Sequence, residues 1–205
     1  TAYAVNPIVI PNGIEPIGQS ELKIHSPRRI VMVGRLSIQK NPLLAIKALS
    51  MLKELEWSFE VIGDGPLRGA LQALADRYGM GGRVKMRGWL PASEVRQAML
   101  QADILLMTSL QEGLPMVAIE ALQCGLAIVG SRIGGMLDVV EDGGNGFLCD
   151  LSAEAFSQKL QALLTDSALL NRMRCASREK GKDFDLEKIV TAYESVLQAS
   201  NSKNR

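Results

Sequence analysis

The sequence predicts an α/β protein: a Rossmann-like, doubly wound, six-stranded parallel sheet with helices on both of its faces. Three observations carry that expectation. Six short apolar runs recur between Ile30 and Cys149, and segments of helical period separate them. The runs are continuous rather than alternating, which marks strands covered on both sides, as in a parallel sheet between helix layers. Prolines stand where the first turn of a following helix tolerates them, as in Asn41-Pro42 and Gly65-Pro66.

The elements follow in order. Residues 1–27 carry Pro7, Pro11, Pro16 and Pro27 with Asn12-Gly13, the chemistry of a linker and its turns, around one short strand at Ile8-Val9-Ile10. Strands are expected at 30–33, 59–62, 84–86, 104–107, 127–129 and 147–149. Helices are expected near 42–55, 66–78, 93–102 (with Ser93 as N-cap) and 115–124, with a short turn near 136–141. Helices near 152–165, 167–180 and 185–199 close the chain before a polar tail over 200–205. Residues 1–27 are thus a linker and the start of the domain, 28–183 the Rossmann-like domain, and 184–205 a C-terminal helix and tail. The strand order that follows is 3-2-1-4-5-6, and such sheets bind ligands outside the carboxyl ends of the strands, where the chain reverses direction between the first and fourth.

Composition narrows the function classes. Of 205 residues, 47% are hydrophobic and 22% charged, so a packed core of one domain is expected. The 23 Lys+Arg nearly cancel the 22 Asp+Glu, which gives no nucleic-acid or membrane surface built by bulk charge. Cys124, Cys149 and Cys175 have no second Cys or His at metal-ligand spacing, so they are read as reduced thiols, with neither a zinc site nor a disulfide framework. The one histidine, His25, is read as a solvated loop residue, and it leaves a Ser-His-Asp or Cys-His hydrolase without a partner. No apolar run approaches the roughly 20 residues that span a bilayer. The chain does not begin with Met, and it is expected to be a piece of a longer protein.

The two loops at the switch point carry the chemistry. After the first strand, Gly34 allows a tight exit, and Arg35 and Lys40, five residues apart, lead to a helix start. Cations beside the free N–H groups and dipole of a helix N-terminus form an anion site. After the fourth strand, Glu112 precedes Gly113, Leu114, Pro115 and Met116, whose main chain faces whatever binds at that helix start. Glu120 then lies in an almost wholly apolar helix, where a carboxylate is costly unless something satisfies it. An ion pair or a cap would do so; so would a ligand diol, since one carboxylate can accept from two adjacent hydroxyls.

These residues resemble the signature of the retaining family-four glycosyltransferases, in which the C-terminal, donor-binding half of a two-domain GT-B fold carries Gly34-Arg35 with Lys40, and Glu112 with Glu120 seven residues between. Gly63-Asp64-Gly65-Pro66, Arg87-Gly88-Trp89 and Gly134-Gly135 follow the second, third and fifth strands, and Ile10-Pro11-Asn12-Gly13-Ile14 resembles the linker between the halves. The resemblance implies that Arg35 and Lys40 hold a donor diphosphate, Glu120 the ribose hydroxyls, and Glu112 with the amides after it the transferred sugar. Gly34 and Gly63 would line the site, Arg87 and Gly88 would lie at the base, largely through main chain, and Gly135 would let the chain pass close to the phosphates. Asp138 and Leu137 depart from the Glu and Pro common in the family. The resemblance also implies a nucleotide-diphosphate sugar as substrate, no cofactor, independence of metal, and an N-terminal acceptor domain without which the fragment binds donor but transfers nothing. A cytoplasmic enzyme is implied, with peripheral association at the inner face of the membrane through the missing half, and no nucleic-acid partner.

Three rivals share the scaffold. Gly63-Asp64-Gly65-Pro66-Leu67-Arg68-Gly69 imitates a dinucleotide fingerprint, which would make this an NAD-binding module, but it follows the second strand, and residues 82–90 hold no acid for the ribose. The others are a sugar-nucleotide epimerase of GT-B architecture and a pure interaction domain.

Overall fold

The computed structural model describes residues 8–17 and 21–203. Pro7, with the rest of 1–7, and residues 204–205 of the tail lie outside the described residues. The sheet contains β1 (Arg28–Val33), β2 (Trp57–Ile62), β3 (Val84–Gly88), β4 (Ile104–Met107), β5 (Ala127–Ser131) and β6 (Gly146–Cys149). All pairings are parallel and the order is β3-β2-β1-β4-β5-β6, as the sequence predicts. Between and after the strands run α1 (Pro42–Ser50), α2 (Arg68–Arg77), α3 (Ala92–Leu100), α4 (Met116–Cys124), α5 (Gly134–Leu137), α6 (Ala153–Thr165), α7 (Ser167–Gly181) and α8 (Leu186–Lys203).

The continuous apolar runs have a simple cause. Neighbouring residues of a strand point to opposite faces, and here both faces are core. Ile30, Met32, Phe59, Val61, Ile104 and Leu106 meet α1, α2 and α6 on one side. Val31, Ile62, Leu105, Met107 and Ile128 meet α3, α4 and α5 on the other. Each fully buried side chain of this size contributes about 1.5–3 kcal/mol, so a polar replacement at Ile30 would damage one layer and one at Val31 the other.

Several boundaries differ from the sequence reading. Residues 8–10 form no strand among the described residues; the pairing nearby is a single bridge from Ile14 to Asp185. The first helix ends at Ser50 rather than near 55, and the second starts at Arg68, with Pro66 in the turn before it. The third helix is capped by Pro91, not Ser93. The expected turn after the fifth strand is the short helix α5, and α8 carries the expected polar tail on to Lys203. Of the apolar residues along α8, Ile189 is buried against Gly13, whereas Leu186, Val190 and Tyr193 are exposed.

His25 corrects a further expectation. Its side chain is only 17% exposed, and Nδ1 lies 3.0 Å from Oδ1 of Asp103, which is wholly buried at the N-terminal end of β4. Arg174 of α7 donates to the same oxygen at 2.8 Å and to the carbonyls of Gly125 and Lys23. The main-chain N–H of Arg29 donates to Asp103 Oδ2. This cluster fastens the segment before β1 to α7, at the end of the sheet away from the switch point. His25 is a structural residue of the fold, not a solvated one.

Candidate functional site

The loops leaving β1 and β4 are stitched to each other. Leu110 N–H donates to the Gln39 carbonyl at 2.7 Å, and the Gln39 side-chain amide donates to the Gln111 carbonyl at 3.0 Å. The Thr108 hydroxyl lies 3.2 Å from the Lys40 carbonyl and 2.9 Å from that of Asn41. Asn41, the residue before α1, is left-handed with φ 46 and ψ 49, a conformation Asn tolerates better than most residues. Lys40 Nζ then reaches Glu112 Oε1 at 2.5 Å, and the Ser109 hydroxyl donates to the same oxygen at 2.6 Å. The Glu112 side chain is 8% exposed and that of Lys40 27%, so the pair sits in a cleft, and its desolvation makes the geometry matter.

Arg35 differs from Lys40. It is exposed, and among the described residues it makes no ion pair or hydrogen bond through its side chain. The cleft it borders is lined by Gly34, Arg35, Lys40, Thr108 and Ser109. The helix α4 begins after Pro115, an extended residue with φ -79 and ψ 103. The main-chain N–H groups of Gly113, Leu114 and Met116 donate to no group among the described residues; Pro115 has none to offer, so its part is the shape of the turn.

Glu120 lies one turn further along α4, half-buried and without a hydrogen bond or ion pair among the described residues. Burial pushes its carboxyl above the ordinary range, with the Arg96 charge opposing in part. The ion-pair or cap explanation raised by the sequence therefore does not account for it. One turn on, the Cys124 thiol is pushed up to about 12, first by burial and then by the Glu120 charge. All three cysteines are free.

The glycines hold loops against loops. A Cβ on Gly63 would lie 2.1 Å from the Gly34 carbonyl oxygen, and one on Gly65 2.5 Å from that of Leu36. The pattern that imitates a dinucleotide fingerprint is thus explained by the β2 exit packing on the β1 exit, with Leu36 N–H bonded to Asp64 O. A Cβ on Gly135 would lie 1.2 Å from the Gly113 oxygen, so the close approach that demands glycine there is to the Glu112-Gly113 loop. Gly88 has φ 71 and accepts from Gly63 N–H at 2.7 Å. Arg87 is paired with Glu60 at 2.5 Å on the sheet face, which leaves main chain, and the exposed ring of Trp89, at the end of β3. Among the described residues no group of three or more His, Cys, Asp or Glu could hold a metal ion.

The order of these loops is matched elsewhere. A model of the family described as Glycosyl transferases group 1 covers residues 14–180. The chain belongs to that family. A human phosphatidylinositol N-acetylglucosaminyltransferase subunit is 33% identical over 165 residues, 77% of this chain and 34% of that protein. The putative colanic acid biosynthesis glycosyltransferase WcaL of Escherichia coli K12 is 30% identical over 185 residues, 85% of this chain and 46% of its own length. This group 1 chain therefore spans a third to a half of the relatives it matches. The crystal structure of HepE from Anabaena in complex with UDP superposes with a TM-score of 0.78 at 23% identity, over 85% of this chain and 50% of that one. That likeness, with the sheet order, gives the fold: one Rossmann-like unit of the GT-B type.

Of the sequence-predicted site, Gly34, Arg35 and Lys40 line one cleft; Glu112 is joined to it through Lys40, Gly135 packs on the Gly113 carbonyl, and Leu114, Pro115 and Met116 lead into α4, which carries Glu120. Gly63, Arg87 and Gly88 stand at the neighbouring strand ends. The sequence reading missed Thr108 and Ser109. Both are buried hydroxyls at the exit of an apolar strand. That break in hydrophobicity at the switch point was the available signal.

Proposed function

We propose that this group 1 chain is the donor-binding unit of a retaining glycosyltransferase that takes a nucleoside-diphosphate sugar, with an N-terminal acceptor domain needed for transfer. One observation carries the reading: Lys40 and the unengaged Arg35 line one cleft at the switch point, and Lys40 is paired there with Glu112, which leads to the free N–H groups at the start of α4. The UDP named with HepE, and the sugar transfer named for the human and bacterial relatives, support the same substrate class.

The chemistry follows from charge. When the glycosidic bond of the donor breaks, negative charge grows on the departing diphosphate. Arg35 and Lys40 offer cations, and the N–H groups of Gly113, Leu114 and Met116 offer preorganised dipoles, for that charge; each such donor is worth about 2.7–4 kcal/mol of barrier. Glu120 accepts from the ribose hydroxyls. Glu112, once Lys40 turns to the diphosphate, accepts from a hydroxyl of the sugar. The base lies against main chain at Gly88. No metal is needed where these cations stand, and no cofactor takes part. No helix among the described residues is long and apolar enough to cross a membrane. We place the full-length enzyme in the cytoplasm, with any membrane contact made through the acceptor half.

The test is a thermal-shift and titration screen with UDP, GDP, UDP-glucose, GDP-mannose and NAD, with and without excess chelator. Stabilisation by a nucleotide or nucleotide sugar that survives chelation is expected. Stabilisation by NAD alone would favour the dinucleotide module, and none by any of the five would favour an interaction domain.

A further inference from the structure

We propose that Ser109 is a positioning residue that keeps the Glu112 carboxylate in place when Lys40 leaves it for a ligand; the proposal rests on the donor-site reading above. Three observations lead to it. Ser109 is buried, and its hydroxyl is 2.6 Å from Glu112 Oε1. That is the oxygen Lys40 Nζ contacts at 2.5 Å, while Oε2 receives no hydrogen bond among the described residues. Thr108, the neighbour of Ser109, fixes the main chain on either side of the Lys40-Asn41 peptide.

The arrangement separates two tasks. An ionised carboxylate only accepts, and each of its oxygens can accept more than once. With both donors on Oε1, the second oxygen stays available for a hydroxyl. Lys40 has a long stem, and its ammonium can swing towards an arriving diphosphate while Thr108 holds its backbone. Without Ser109, that swing would leave Glu112 with no protein donor, buried, charged and free to turn about its side-chain torsions. With Ser109 the carboxylate keeps one charge-assisted hydrogen bond through the exchange. A short serine side chain at the exit of a strand, on the rigid side of the cleft, suits this role better than a long side chain with torsions of its own to fix.

The first measurement needs no ligand. In the free chain, the Lys40 ammonium should give a slowly exchanging 1H–15N signal because Glu112 is held against it. Ser109→Ala should abolish or broaden that signal while the amide spectrum stays folded, and Ser109→Thr should restore it. An unchanged ammonium signal in Ser109→Ala would overturn the positioning role, whatever the chain binds. The second measurement titrates whichever nucleotide sugar of the screen binds, alongside its bare diphosphate. Ser109→Ala should weaken the sugar-bearing ligand about tenfold, the scale of one hydrogen bond to a charged group, and the bare diphosphate far less. In a Glu112→Ala background the same change should add nothing. Equal losses for both ligands, or a full loss without Glu112, would make Ser109 merely structural. A wild-type chain that binds none of the nucleotides fails the donor reading instead, and the ammonium signal still decides Ser109.

Discussion

The two ends of the sheet hold charged residues of the same kinds under opposite conditions. At the N-terminal ends of the strands, Asp103 is 0% and Arg174 2% exposed in their side chains, and the pair is enclosed by partners: His25, the Arg29 N–H, and the carbonyls of Gly125, Lys23 and Ala102. At the C-terminal ends, Arg35 has no partner among the described residues, Glu120 has no hydrogen bond, and the amides before α4 donate to nothing. Glu120 is half-buried, and a buried polar group left open costs free energy, whereas Arg35 is exposed and hydrated. The Asp103–Arg174 pair is architecture; the open end is the one we propose for a ligand.

The largest effect should come from breaking the satisfied end. Arg174→Met keeps much of the side-chain bulk and strands Asp103 without its cation, a loss of about 3–5 kcal/mol for a broken buried pair. Urea or thermal unfolding of the chain should show it, with the affinity for nucleotide unchanged in the protein that remains folded. A stability loss below about 1 kcal/mol, as for surface pairs, would mean that the cluster is far less buried in solution.

The open end should respond in the reverse sense. Glu120→Ala removes the carboxylate that we propose accepts from two hydroxyls, and it should cost about 2–3 kcal/mol of nucleotide binding, roughly 30- to 150-fold, with stability unchanged or raised. Glu112→Ala should discriminate: about tenfold weaker for the sugar-bearing ligand, and less for the bare diphosphate, as one charge-assisted hydrogen bond to the sugar requires. Equal losses for the two ligands would remove Glu112 from the sugar, and a stability loss in Glu120→Ala would move that residue to the architectural end.

The same contrast explains what was legible in the sequence. The sheet order was, because burial on both faces writes itself as continuous apolar runs. Glu120 was, because a carboxylate among Val117, Ala118, Ile119, Ala121 and Leu122 breaks a local pattern. The Asp103 cluster was not: His25 meets a partner 78 residues away and Arg174 one 71 away, and no spacing announces either. Residues 8–10 have strand-like composition, but a strand also needs a neighbour, and among the described residues the chain near them bridges only at Ile14, to Asp185 just before α8. Gly135 was expected to let the chain pass close to phosphates; the backbone it clears is that of Gly113, a contact between loops that only the folded chain brings together. Ser109 escaped because one serine after a strand is common, and its meaning lies in sharing an oxygen with Lys40.

The smallest effect tests the open end most directly, through protons. Burial holds the Glu120 carboxyl above its ordinary value of 4.5, so the folded, ligand-free chain binds that proton more tightly than the unfolded chain does. Its contribution to stability is therefore full below 4.5 and is lost as pH rises through the raised folded value. Asp142 works in another window. There burial is outweighed by the Leu148 N–H and by Arg132, and the lowered carboxyl adds stability that is lost only as pH falls below about its ordinary 3.8. On the proposed reading ribose hydroxyls donate to the ionised form of Glu120, so nucleotide binding should strengthen as pH rises through the window above 4.5 and should release a proton. Glu120→Gln should flatten both slopes: stability no longer falls across that window, and binding is weak at every pH. Titrations in two buffers of different ionisation enthalpy would count the proton directly. Proton release that persists in Glu120→Gln would place the titrating group elsewhere and leave the half-buried carboxylate without a ligand to explain it.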